Sequence, residues 1–284
     1  MGAPRYAPAT VADTTERVAD DSLNALLPRF LGRSGKLRTV QVTPEQLRDL
    51  PLFNQHFVDG DPAPGVHDVG VATPEGESVR VVALIPFAAK QGSRLEGYHV
   101  GFWPTERGRA SRYELPAGFI QVTEETRLTP LSQRFRIADF LTHDQQAVWP
   151  KLLVITPGLV DKLELIADEL ERMGKPSTLR VMSGFRTPQY NARGACKRCG
   201  RAKDSRHMYG DAADIFVDAD GDGRMDDLDG DGRVTVKDAR FLGRVAERVE
   251  LDNPELVGGI GVYRATRAHG PFVHIDARGT MARW

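Results

Sequence analysis

The sequence predicts an α+β protein in which a small, mainly β module precedes a larger domain of helices on a sheet. Three observations support this. Short β-like runs broken by Pro- and Gly-containing turns occupy residues 37–125. From residue 126 to 284 the pattern changes to helices with three-to-four spacing alternating with single strands. A length of 284 residues with 40% hydrophobic content is enough to bury a sizeable core.

Residues 1–36 are rich in Ala, Thr, Asp and Pro and read as a lead or a peripheral helix. The β-like runs that follow are Val66–Thr73, Val79–Phe87, Gly97–Trp103 and Phe119–Thr123, with turns such as DGDPAPG and TPEGE between them. Tyr98, Phe102, Trp103 and Tyr113 could stack on sugars, but aromatics in β runs more often fill a core. After Thr156-Pro157-Gly158, the apolar residues Leu159, Leu163, Ile166, Leu170 and Met173 alternate in spacing between four and three. Thr156 as cap, Pro157 in the first turn and Gly174 as terminator complete an amphipathic helix. Thr178–Phe185 reads as a buried strand, Val236–Val249 as a second helix, and GGIGVY and FVHID as two late strands.

Lys plus Arg (38) balances Asp plus Glu (39), so no global attraction to nucleic acid or anionic membranes is expected. No apolar stretch approaches the roughly 20 residues of a membrane span. The opening MGAPRYAPATVADTTERVADD also lacks the basic-then-apolar plan of a secretion signal.

Of seven histidines, His207, His269 and His274 lie in the last third, beside Asp214 and Asp276. In SRHMYGDAADIFVD an Asp follows a His by seven residues, with Gly210 and two alanines between them that allow a close backbone approach. On FVHID, His274 and Asp276 are two apart and share a strand face. Two imidazoles and one carboxylate, with a fourth position left for water, suit a catalytic Zn²⁺.

The run Ser205–Asp214 resembles the SxHxxGxAxD motif of the M15 peptidases, and Val273–Asp276 resembles their downstream His strand. Leu131–Phe140 and Ser183–Asn191 are similar to that family's entry segment and SGYRS-type turn, so the resemblance spans residues 129–284. It implies a fold like the hedgehog/D-Ala-D-Ala peptidases, an antiparallel sheet with helices. It also implies zinc held by His207, Asp214 and His274, and hydrolysis of D-amino-acid peptide bonds in peptidoglycan stem peptides by a D,D-carboxypeptidase or a murein endopeptidase. Peptidoglycan peptide is then the substrate, and the location periplasmic or extracellular. By position, Arg186 matches an arginine that faces substrate or transition-state oxygen, and His269 a second active-site histidine for proton transfer or oxyanion support. Asp276 reads as an outer partner orienting a ligand imidazole. The dipeptidase branch has a Glu three residues before the last His; here that position is Pro271.

Residues 218–238 insert an acidic loop with two overlapping EF-hand-type patterns. Asp218, Asp220, Asp222, Asp226 and Asp229 form the first, and Asp227, Asp229, Asp231 and Asp238 the second, with Gly223 and Gly232 at the sharp turns. One or two structural Ca²⁺ ions are expected, a solubilising acidic loop being the alternative. Cys196 and Cys199 are the only cysteines. A short disulfide is expected in an oxidising compartment, with free thiols as the alternative.

Three function classes remain: a zinc peptidase, an M15-like module that holds zinc and binds peptidoglycan or a protein without turnover, and a calcium-dependent adhesion protein. The last leaves His207, Asp214 and His274 without a role.

Overall fold

The computed structural model describes residues 16–17, 39–42, 63–72, 78–111, 113–194 and 201–284. The expected Cys196–Cys199 pairing and nearly all of the expected N-terminal lead lie outside these residues.

The N-terminal half is built of short strands: β1 (Glu16–Arg17), β2 (Thr39–Val42), β3 (Gly65–Ala72), β4 (Ser78–Ala83), β5 (Ile85–Pro86), β6 (Arg94–Leu95), β7 (Tyr98–His99) and β8 (Gly118–Val122). β1–β4 make a four-stranded sheet in the order β1-β3-β4-β2. The run expected over Val79–Phe87 is two strands interrupted at Leu84, and of Gly97–Trp103 only Tyr98–His99 is strand.

β9 (Lys151–Leu153) completes a three-stranded sheet, β5-β8-β9, by pairing antiparallel with β8. That sheet crosses the boundary expected at 125/126, and a continuous apolar core runs from Val82 to Ile275. Tyr98 and Trp103 lie in this core, and the Trp103 indole N–H donates to the Met208 carbonyl at 3.0 Å. The two halves are therefore interlocked.

The helix expected after Thr156 is α1 (Pro157–Arg172), with Pro157 in its first turn and Gly174 at φ 67° beyond its end. Leu159, Leu163, Ile166 and Leu170 are buried, whereas Met173 is 43% exposed and lies off the core stripe. The Thr156 hydroxyl makes no capping bond and has no partner, so the helix start rests on proline rather than on a side-chain cap. Asp161 on α1 has its pKa raised to about 6 by burial and by the neighbouring Glu164. The folded chain thus holds this proton more tightly than the unfolded chain, so Asp161 favours folding at low pH and loses that contribution as pH rises from about 4 through about 6. Asp161→Asn is expected to raise stability at pH 7 by about 1 kcal/mol after allowance for solvent screening, with little effect near pH 4. Urea unfolding at the two pH values measures the difference.

β10 (Leu179–Ser183), α2 (Pro188–Gly194), β11 (Ala212–Val217), α3 (Val236–Asp252), β12 (Gly259–Tyr263), β13 (Phe272–Asp276) and β14 (Ala282–Arg283) complete the chain. Thr235 and Asp238 form a reciprocal capping box at the start of α3, which runs three residues beyond the expected Val249. The main sheet has the order β10-β11-β13-β12-β14, antiparallel except for the β12–β14 pair. α3 packs on β12 and β13, and α1 packs on α3. Ala213, Ile215, Val273 and Ile275 belong to the core, so strand alternation turns Asp214, His274 and Asp276 to the opposite face. No helix among the described residues is long and apolar enough to cross a membrane.

Candidate metal centre

The register of the sheet puts the polar face in order. Ser183 lies opposite Asp214, Asp214 opposite His274, and His274 opposite Gly261, giving a row across β10, β11, β13 and β12. Gly261 has no side chain because the Trp284 ring fills that place: a Cβ there would stand 2.4 Å from the indole. The indole lies 5.2 Å from the His274 ring, centroid to centroid, and donates to the Tyr263 hydroxyl at 2.6 Å.

His207 arrives from outside the sheet, on a 3₁₀ turn (Arg206–Tyr209) that ends at Gly210, where φ is 74°. A Cβ on Gly210 would stand 2.5 Å from the Val154 carbonyl, so glycine serves both the left-handed backbone and the close approach. The small residues between His207 and Asp214 thus let the turn fold back onto β11.

His207 Nδ1 is 2.7 Å from the carbonyl oxygen of Gly184, which can only accept, so Nδ1 carries the proton and Nε2 presents its lone pair. His274 Nε2 is 3.1 Å from Asp276 Oδ2, which leaves His274 Nδ1 as the lone-pair nitrogen. His207 Nε2, His274 Nδ1 and Asp214 Oδ1 form a triangle with sides of 3.2, 3.0 and 3.3 Å. Three acceptors that close repel one another unless a cation stands among them. Ligands about 2.0–2.1 Å from a tetrahedral ion are separated by roughly 3.3–3.4 Å, so the spacing and the donor set both fit zinc. All three side chains are buried.

The electrostatics suit a ligand set. Burial alone would raise the Asp214 carboxyl, but His207 and His274 beside it hold it well below the usual carboxylate range. Burial lowers the His207 pKa and keeps that imidazole neutral, against the pull of Asp214. For His274 burial, which lowers the pKa, is outweighed by the facing carboxylates Asp214 and Asp276, which raise it, so in the absence of metal a proton competes for the place a cation would take at Nδ1.

Around the triangle stand residues that orient it. Asp276 is fully buried; its Oδ1 accepts from the Gly259 N–H at 2.7 Å and from Arg278 Nε at 2.8 Å, and Arg278 Nη2 pairs with Oδ2. Arg186, expected to face substrate, lines the cleft and also grips the second oxygen of Asp214 through Nη2, donating from Nε to the Ser183 hydroxyl at 2.8 Å. Burial beside a carboxylate explains the grip on Asp214, a use of the guanidinium fork that the sequence did not indicate. His269 lies at the rim, its Nδ1 2.8 Å from the Gly270 carbonyl and its ring edge-on to Phe272.

The triangle opens into a cleft of ≈ 840 Å³ lined also by Tyr113, Tyr190, Arg206, Tyr263 and His269. Tyr113 comes from the N-terminal half, with Arg206 3.9 Å over its ring. Nothing in its sequence surroundings distinguishes this tyrosine from its core neighbours, whereas Tyr263 and Trp284 flank the FVHID strand closely enough to have been suspected.

In the acidic loop two groups of carboxylates converge, one from each of the expected patterns. Ligand-type oxygens of Asp218, Asp220 and Asp226 lie within 4.8 Å of one another, as do those of Asp227, Asp229 and Asp238. Asp229 thus goes with the second group alone, Asp222 Oδ1 accepts from the Arg224 N–H, and Asp231 pairs with Lys237.

Asp276→Asn is expected to weaken metal binding about 10- to 100-fold, because the amide no longer fixes His274 through a charged hydrogen bond. Chelator competition for zinc measures this, and an unchanged dissociation constant would refute the orienting role.

Residues 141–223 match the M15_2 peptidase family model, described as peptidoglycan L,D-endopeptidase MepK. The matched segment contains His207 and Asp214 and ends before His274. No curated protein and no solved structure matches the chain.

Proposed function

Taking the chain as an M15-family peptidase, we propose that it is a zinc-dependent endopeptidase of peptidoglycan stem peptides, acting outside the cytoplasm. The observation that carries this reading is the triangle of His207 Nε2, Asp214 Oδ1 and His274 Nδ1 at the floor of an open cleft. A zinc ion held there would lower the pKa of its water toward about 7 and polarise the scissile carbonyl.

The chain's own residues do the positioning. Asp276 fixes the tautomer of His274, the Gly184 carbonyl fixes that of His207, and Arg186 holds Asp214 with one oxygen turned to the imidazoles. His269 and Tyr263 line the cleft: His269 can take a proton from the attacking water and hand it to the leaving amine, the work that the glutamate absent at Pro271 does in the dipeptidase branch, and the Tyr263 hydroxyl can donate to a developing oxyanion. The family description favours an internal bond over terminal D-alanine, and the cleft volume allows a branched peptide.

Mass spectrometry of defined muropeptides after incubation with the zinc-loaded chain tests this. Splitting of L,D- or D,D-cross-linked dimers is the expected result. Release of a single D-Ala from pentapeptide alone would make the protein a carboxypeptidase. Intact substrates with stoichiometric zinc would favour a binding module.

A further inference from the structure

The acidic loop between β11 and α3 contains the other concentrations of ligand-type side chains among the described residues, and its two groups differ in one respect. In the group of Asp227, Asp229 and Asp238, the buried carboxylate is satisfied by backbone. Asp238 Oδ1 accepts from the Leu228 and Asp229 N–H groups at 2.8 and 3.3 Å, and Oδ2 from the Thr235 N–H at 2.7 Å.

In the group of Asp218, Asp220 and Asp226, the buried carboxylate is not satisfied. Asp218 is 3% exposed; its Oδ2 faces Arg180 Nε at 3.3 Å, while its Oδ1, shielded from solvent, has no hydrogen-bond partner. A buried charged oxygen without a partner is costly. Its neighbours add to the charge rather than relieve it, since oxygens of Asp220 and Asp226 lie within 4.8 Å. A cation would serve both needs, as partner for the orphaned oxygen and as counter-charge.

We propose that Asp218, Asp220 and Asp226 form a calcium site, separate from the zinc centre. The donors are all carboxylate oxygens with no nitrogen or sulfur, which selects a hard cation. The irregular loop favours Ca²⁺, which accepts six to eight oxygens in flexible geometry, over Mg²⁺, which demands a near-ideal octahedron. Asp218 directly follows β11, the strand of Asp214, and the Asp226 N–H returns to the Val217 carbonyl at 2.9 Å. Gly223, Arg224 and Met225 line a groove whose other wall is Ala268, His269 and Gly270, so the ion braces the segment beside the rim of the cleft.

The test is calorimetric titration of the chelator-stripped full chain with Ca²⁺ and, in parallel, Mg²⁺. It uses wild type, Asp218→Asn, Asp220→Asn and His207→Ala. Asp220 is exposed, so its variant keeps the test open if Asp218→Asn loosens the fold. Wild type and His207→Ala are expected to bind Ca²⁺ with a dissociation constant below about 1 mM, and both Asp variants to lose at least one ion. A Ca²⁺-dependent rise in Tm of roughly 5 °C should disappear with it. The proposal is overturned by absent Ca²⁺ binding, by unchanged stoichiometry and affinity in both Asp variants, by equal affinity for Mg²⁺, or by loss of Ca²⁺ in His207→Ala. That last control separates this site from the zinc reading.

Discussion

His274→Ala is expected to leave the chain without stoichiometric zinc and to reduce peptide hydrolysis by at least about three orders of magnitude. The size of the effect follows from geometry. His274 contributes one of three converging lone pairs and is also the link through which Asp276 reaches the centre. Alanine deletes both, leaves Asp276 paired only with Arg278 and the Gly259 N–H, and leaves two ligands where a catalytic site needs three. Elemental analysis of the purified chain, with circular dichroism to establish folding, gives the metal count; the cross-linked muropeptide assay gives the rate. His269→Ala is the informative companion. No hydrogen bond joins His269 to the triangle among the described residues, so zinc is expected to stay at one per chain while turnover falls. A folded His274→Ala that kept its zinc would remove the assignment of the centre.

The legibility of this site in the sequence was uneven for physical reasons. His274 and Asp276 share a face because a strand repeats every two residues, a period visible in FVHID alone. The closeness of His207 to Asp214 was signalled by Gly210, since a Cβ there would hit the Val154 backbone. Arg186 was harder to read: its motif identified it, but its grip on Asp214 depends on which oxygen of that carboxylate turns toward it. β9 and β11 were not read as strands because KLL is short and AADIFV carries Ala and Asp, which rank low in strand propensity; pairing in the assembled sheets decides both. Tyr113 reaches the cleft through a tertiary route that no local pattern encodes.

Glu250→Ala is expected to cost about 3–5 kcal/mol of stability, the range for removing one partner of a buried ion pair. Glu250 on α3 accepts from Lys162 Nζ at 2.5 Å and from the Gly258 N–H at 2.9 Å through Oε1, and pairs with Arg283 through Oε2. Lys162 is fully buried on α1, and its one other hydrogen bond among the described residues goes to the Asp276 carbonyl at 2.6 Å. Burial lowers the Lys162 pKa and Glu250 opposes that shift, so the alanine variant strands an ammonium in the core and orphans a backbone donor. The double variant Lys162→Met/Glu250→Leu should recover part of the loss, because an apolar pair of similar volume carries no unpaired charge. Urea unfolding of both variants measures this, and a cost below about 1 kcal/mol for the single change would show that water reaches Lys162. The cluster ties α1 and α3 to the backbone of β13, the strand of His274, yet the Asp276 side chain still orients that imidazole when Glu250 is gone. Zinc affinity in folded Glu250→Ala should therefore stay near that of wild type, which separates the support of the sheet from the orientation of the ligand.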